Sequence, residues 1–165
     1  MRTIGIISDT HGLLRDEAVR ALKGCDLIIH AGDVGEAHVL ESLGRIAPVR
    51  AVRGNTDWGD FARGLPESDV VDLNAPDGAP SEEGSGPEAY VVHIIEEMAL
   101  DPASAGFRVV IHGHTHEPKA RREDGVLYLN PGSAGPRRFH LPVSVGRLRV
   151  EGKAVEAEIV YLEVD

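Results

Sequence analysis

Four short segments carry metal-binding side-chain types, and each follows an apolar run: Asp9-x-His11, Gly32-Asp33, Gly54-Asn55 and Gly113-His114-Thr115-His116. Imidazole nitrogens mixed with carboxylate oxygens suit borderline divalent metals such as zinc, manganese, iron or cobalt. Magnesium-only or calcium-only sites are nearly all oxygen. The order reads as a two-metal hydrolytic site. Two ions sharing a carboxylate bind and ionise one bridging water, giving a hydroxide at neutral pH and a positive clamp for phosphate oxygens.

Each segment taken singly has a plainer explanation. The Asp of Asp9-x-His11 could cap a following helix, and Gly54-Asn55-Thr56-Asp57 has the composition of a turn. Gly113-His114-Thr115-His116 is the most specific. Its two imidazoles, at i and i+2, share a face if strand geometry continues, and the glycine permits close backbone approach. The recurrence of ligand-type residues after successive apolar runs carries the reading.

The elements that must position these residues are legible around them. Thr3–Ile7, 26–31 and Val49–Val52 read as buried strands, each delivering a polar residue to the loop beyond its carboxyl end. Leu14, Ala18, Ala21 and Leu22 recur at helical spacing before Gly24, and Val39, Leu40, Leu43 and Ile46 do so before Pro48. The first half is therefore strand-helix-strand-helix-strand, with ligands where α/β sheets usually place them. Further strands are expected over 70–73, Ala89–Ile95, Phe107–Ile111, Val126–Leu129, Val143–Val150 and Val155–Leu162. A short helix broken near Pro102 is expected from Glu96 to Gly106. Residues 74–88, rich in Gly, Pro, Ser and acids, read as a mobile surface loop.

Length and charge bound the function. At 165 residues the chain matches one ordinary domain, here taken as 1–165. A net charge of −10 with scattered basic residues argues against an extended nucleic-acid surface, while a metal centre would reverse the field locally for a small anion. The single Cys25 cannot form an internal disulfide, and Met1 leads straight into the first apolar run with no cleavable leader. No apolar stretch approaches the ~20 residues that cross a bilayer. A cytoplasmic protein without a membrane partner is expected, and a homo-oligomer is compatible with the sequence.

Asp9-x-His11, Gly32-Asp33, Gly54-Asn55, His93 and Gly113-His114-Thr115-His116, in that order, resemble the signature of calcineurin-like metallophosphoesterases. The short length, Asn130-Pro131-Gly132-Ser133 and Pro136-Arg137 resemble the small YfcE-like phosphodiesterase branch of that family. The resemblance implies an α/β sandwich of two mixed β-sheets flanked by helices. It implies two divalent transition-metal ions, manganese first, with zinc, iron, nickel or cobalt as alternatives. Carried over residue by residue, Asp9, His11 and His116 would hold one ion, Asn55, His93 and His114 the other, and Asp33 would bridge them. Asp33, Asn55 and His114 are the residues expected to act in catalysis. The implied substrate is a small phosphodiester, attacked in line by the bridging hydroxide.

His93 lies in an apolar run, Tyr90-Val91-Val92-His93-Ile94-Ile95, and without it the second ion would have only Asp33, Asn55 and His114. His112 should point away from the side His114 needs, and Asp57 is placed to orient a ligand. His30, His38 and His140 read as structural or surface residues, and Arg137 and Arg138 stay outside the core site. Larger relatives carry a His directly after the Asn. Here Thr56 stands there, and a hydroxyl cannot protonate a leaving group near pH 7. That departure favours an alternative, a non-catalytic protein-binding scaffold resembling the retromer subunit that shares this fold.

Overall fold

The computed structural model describes residues 1–81, 84 and 86–164, and its order is two five-stranded mixed sheets. The first sheet is built from β1 (Arg2–Ile7), β2 (Leu27–His30), β3 (Val49–Ala51), β9 (Ser144–Glu151) and β10 (Ala154–Tyr161), in the order β10-β9-β1-β2-β3. β1, β2 and β3 run parallel, and β9 and β10 pair antiparallel at the other edge. The second sheet contains β4 (Ser68–Asp72), β5 (Glu88–Val92), β6 (Val109–Ile111), β7 (Lys119–Glu123) and β8 (Val126–Asn130), in the order β4-β5-β6-β8-β7.

Period-two alternation decides which core each strand residue joins. Ile4, Ile6, Leu27 and Ile29 point inward against Val71, Val91, Val109, Ile111, Leu127 and Leu129 of the second sheet. Ile7 and Ile28 point the other way, into a cluster with Ala18 and Leu22 of α1 (Asp16–Leu22) and Val39 and Leu43 of α2 (Ala37–Gly44). Strands buried on both faces read as continuous apolar runs, which is why β1 and β2 were legible.

Three elements differ from expectation. The helix expected from Glu96 to Gly106 is one turn of 3-10 helix, Ile95–Glu97, followed by turns. The segment has no apolar stripe to bury, and Pro102 lacks the N–H a continuing helix needs. A strand not expected, β7, has every residue exposed and lies at a sheet edge, where Lys and Arg are favoured. A third helix, α3 (Asp60–Arg63), is a single turn too short for a periodicity signal. Of the loop expected over 74–88, residues 82, 83 and 85 lie outside the described residues. Its described part is tied to the strands: Asp72 N–H donates to the Gly78 carbonyl at 2.9 Å, and Arg2 donates to the carbonyls of Leu73 and Ala75 at 3.0 and 2.9 Å.

Candidate metal centre

Five loops converge at one end of the sandwich, each leaving the carboxyl end of a parallel strand. β1 delivers Asp9 and His11, β2 delivers Asp33, β3 delivers Asn55, β5 delivers His93, and β6 delivers His114 and His116. Asp9, His11 and His116 form one group of ligand-type atoms, and Asp33, His93 and His114 form a second. Asn55 sits beside the second group, its Oδ1 at 3.2 Å from His114 Nδ1. All seven residues expected from the sequence are thus brought together. Asp33 Oδ2 lies 3.2 Å from His93 Nε2 and 3.7 Å from His11 Nε2, between the two groups.

The i, i+2 expectation for the two imidazoles is corrected. His114 and His116 do not share a strand face. Both adopt left-handed backbone, φ 73° and 64°, and the reversal sends them to different groups. Asp9, His11 and Asp33 have the same unusual backbone, with φ 56°, 46° and 54°. Asp and His tolerate this region better than other side chains, and it turns each one back over its own strand end.

The arrangement of atoms fits cations. Asp9 Oδ2 is saturated by Ser8 Oγ–H at 2.7 Å and His114 N–H at 3.1 Å. Its Oδ1 has no hydrogen-bond partner and faces the Nε2 atoms of His116, His11 and His93 at 3.3, 3.8 and 3.9 Å. His93 Nδ1–H donates to the Ala31 carbonyl at 2.7 Å, which turns a lone Nε2 toward the two carboxylates. His11 and His116 point Nε2 at each other across 3.4 Å. Buried acceptors facing acceptors are costly unless positive charge lies among them. Protons partly supply it without metal. Burial would raise the Asp9 and Asp33 carboxyls, but the imidazoles of His116 and His93 beside them, respectively, hold both below their ordinary range. Burial opposes protonation of His93, yet Asp33 and Asp9 raise it above the ordinary imidazole value.

Residues that ligate nothing hold the loops together. His30, fully buried, accepts Gly32 N–H on Nδ1 at 3.1 Å, so its proton is on Nε2, 3.0 Å from Thr10 Oγ1. Thr10 in turn donates to the Val34 carbonyl at 2.8 Å. This relay joins the Asp9–His11 loop to the Asp33 loop. The Asp57 carboxylate accepts the N–H groups of Val34, Gly35 and Gly54 at 3.2, 2.9 and 2.9 Å, joining the Asp33 and Asn55 loops. Asn130 donates to the Gly113 carbonyl and Thr115 Oγ1, shaping the double-His loop. Asp57, expected to orient a ligand, contacts the backbone beside Asp33 and Asn55 and not their side chains. Asn130 stands in the sequence only as part of the Asn130-Pro131-Gly132-Ser133 resemblance, and His30 only as a structural histidine at a strand end. His112 joins neither group, His38 pairs with Glu36 at 3.0 Å on the surface, and His140 is exposed.

Burial pushes the His30 imidazole down to about 4. The unfolded chain therefore takes up a proton near pH 6.5 that the folded one refuses, so stability is lost as pH falls from 6.5 toward 4. Between pH 7 and 5 this single group should remove about 2 kcal/mol of stability. Urea unfolding of chelator-treated protein at the two pH values checks it: His30→Asn should be less stable at pH 7 and show a shallower fall. Equal falls in both proteins would refute the assignment.

A sequence profile of the calcineurin-like phosphoesterase superfamily domain matches residues 1–153. The chain is 35% identical over 167 residues to a probable metallophosphoesterase of Methanocaldococcus jannaschii, a match covering 97% of this chain and 81% of that one. It is 31% identical over 159 residues to a phosphodiesterase of the same organism, covering 91% and 94%. Among solved structures, Vps29 of Entamoeba histolytica complexed with Zn2+ matches with a TM-score of 0.71 at 18% identity, covering 96% and 98%, a likeness of fold. No helix among the described residues is long and apolar enough to cross a membrane.

Proposed function

Because the chain belongs to the calcineurin-like phosphoesterase superfamily, we propose that residues 1–165 work as one metal-dependent phosphodiesterase of its small YfcE-like branch, acting on a small phosphodiester. The observation that carries this reading is the pair of adjacent ligand triads with Asp9 Oδ1 and His93 Nε2 buried and unpartnered between them. Asp9, His11 and His116 would hold one ion, His93, His114 and Asn55 the other, and Asp33 would serve both. Bound divalent ions, manganese first, supply Lewis-acid charge for phosphoryl oxygens and the activation of a water for in-line attack.

The chain's own residues do the positioning. His93 is locked by Ala31, Asp9 by Ser8 and the His114 N–H, and the Asn55 loop by Asp57 and by Thr56 N–H donating to Asp33 Oδ1 at 2.9 Å. Such preorganisation is worth most where charge develops. Thr56 offers no proton near neutral pH, so esters with stable anionic leaving groups are favoured.

Metal-stripped protein reloaded with Mn2+ should hydrolyse bis(4-nitrophenyl) phosphate at least about tenfold faster than 4-nitrophenyl phosphate, and an alkyl diester slowest. Equal rates on all three would contradict the reading. Mn2+ uptake with no hydrolysis of any ester would favour the scaffold alternative.

A further inference from the structure

Among the described residues, seven non-glycine residues have positive φ. Five are the ligand candidates Asp9, His11, Asp33, His114 and His116, and Asp124 lies in the turn between β7 and β8. The seventh, Phe139 at φ 52°, is bulky, apolar and 87% exposed. A phenylalanine held there has neither the local hydrogen bonding that excuses Asp nor burial to offset the strain.

Its surroundings say what the strain aims at. Pro136–Phe139 and the imidazoles of His11 and His116 line one cleft of about 400 Å3, so the loop forms a wall beside the first ligand group. The feet of the loop are fixed to that group. Ser133 Oγ–H donates to the Asp9 carbonyl at 3.0 Å, Ala134 N–H donates to the Ser8 carbonyl at 3.0 Å, and Arg15 Nε–H donates to the Gly135 carbonyl at 3.0 Å. Beyond the tip, Leu141 N–H closes onto the Arg138 carbonyl at 3.0 Å. Between these anchors Arg137, Arg138 and Phe139 are exposed, and neither guanidinium has an ion-pair partner among the described residues. In a chain of net charge −10, two unpaired arginines next to a phosphoryl-binding centre attract an anion locally.

We propose that the Pro136–Phe139 loop is an ester-group subsite: Phe139 stacks on a planar aromatic or heteroaromatic group attached to the phosphoryl centre, and Arg137 and Arg138 attract the anion. This rests on the phosphodiesterase reading and adds a substrate class, phosphodiesters bearing a flat ring. A ring stacked face-offset on an exposed phenyl gains several-fold in affinity. A methyl ester has nothing to place there.

Calorimetric binding of phenylphosphonate and methylphosphonate to the Mn2+-loaded protein separates the contributions, because the heads are identical and only one carries a ring. The wild type should prefer phenylphosphonate by about 5- to 10-fold. Phe139→Tyr should keep that ratio, and Phe139→Gly, which suits φ 52°, should fold normally and reduce it below about twofold. Arg137→Ala and Arg138→Ala should weaken both ligands alike. Methylphosphonate binding without preference for the ring, or a ratio unchanged in Phe139→Gly, would overturn the subsite while leaving the metal centre standing. Binding of neither phosphonate would overturn both.

Discussion

Asp33→Asn is expected to reduce Mn2+-dependent diester hydrolysis by at least about 10³-fold, a barrier increase of about 4 kcal/mol, while leaving the chain folded. Asp33 belongs to the second ligand group, and its Oδ2 also stands 3.7 Å from His11 Nε2 in the first. Its Oδ1 holds the Thr56 N–H at 2.9 Å. Asparagine preserves volume and can still accept that N–H, so the loss is one of charge between the two groups. A second readout does not depend on turnover. A cation that binds only the folded state stabilises it by about 4 kcal/mol at a thousandfold excess over Kd. Wild type should therefore melt higher as Mn2+ is added, and Asp33→Asn should lose most of that response. A variant that retained both full activity and the full Mn2+ shift would remove Asp33 from the centre.

Gly54→Ala should be strongly damaging although it adds a single methyl. A Cβ at Gly54 would stand 2.1 Å from both the backbone N and Oδ1 of Asp33, and backbone cannot rotate away. Overpacking of this kind costs about 3 kcal/mol, a fall of roughly 6–12 °C in melting midpoint for a chain this size. The displaced carboxylate should take metal binding with it. Gly44→Ala is the matched control. Gly44 ends α2 with nothing within 4 Å of its Cβ position, and there alanine should be neutral or stabilising by about 0.5–1 kcal/mol. Similar midpoints for the two variants would show that the Asp33 and Asn55 loops are looser than their packing indicates.

How much was legible depended on how local the cause was. β1 and β2 announced themselves because both faces are buried, whereas β7 exposes all five residues and carries no apolar pattern at all. Its one local signal, Asp124-Gly125 with φ 52° and 79° at the turn into β8, is hairpin chemistry that only pairing makes meaningful. The expected 96–106 helix failed for the opposite reason: residues with helical propensity had no surface to pack against. Within the site, His93 is expected as a ligand although it lies in an apolar run, Tyr90 to Ile95. Its identity turns on the Ala31 carbonyl, 62 positions away, which fixes the ring proton.

Ligand chemistry is written in residue type, so the sequence by itself determined which side chains could bind metal, and strand periodicity determined that most sit at carboxyl ends. What tertiary structure decided is which of them meet. Separating His114 from His116 required chain reversals at positive φ, and placing Asp33 between two groups required parallel strands from two sheets to end at one edge. Orienting those side chains required His30, Asp57 and Asn130 to tie loops distant in sequence. Such contacts cost chain entropy that only the shared hydrophobic core offsets. No local pattern can record them, because each partner is chosen by where the folded backbone brings it.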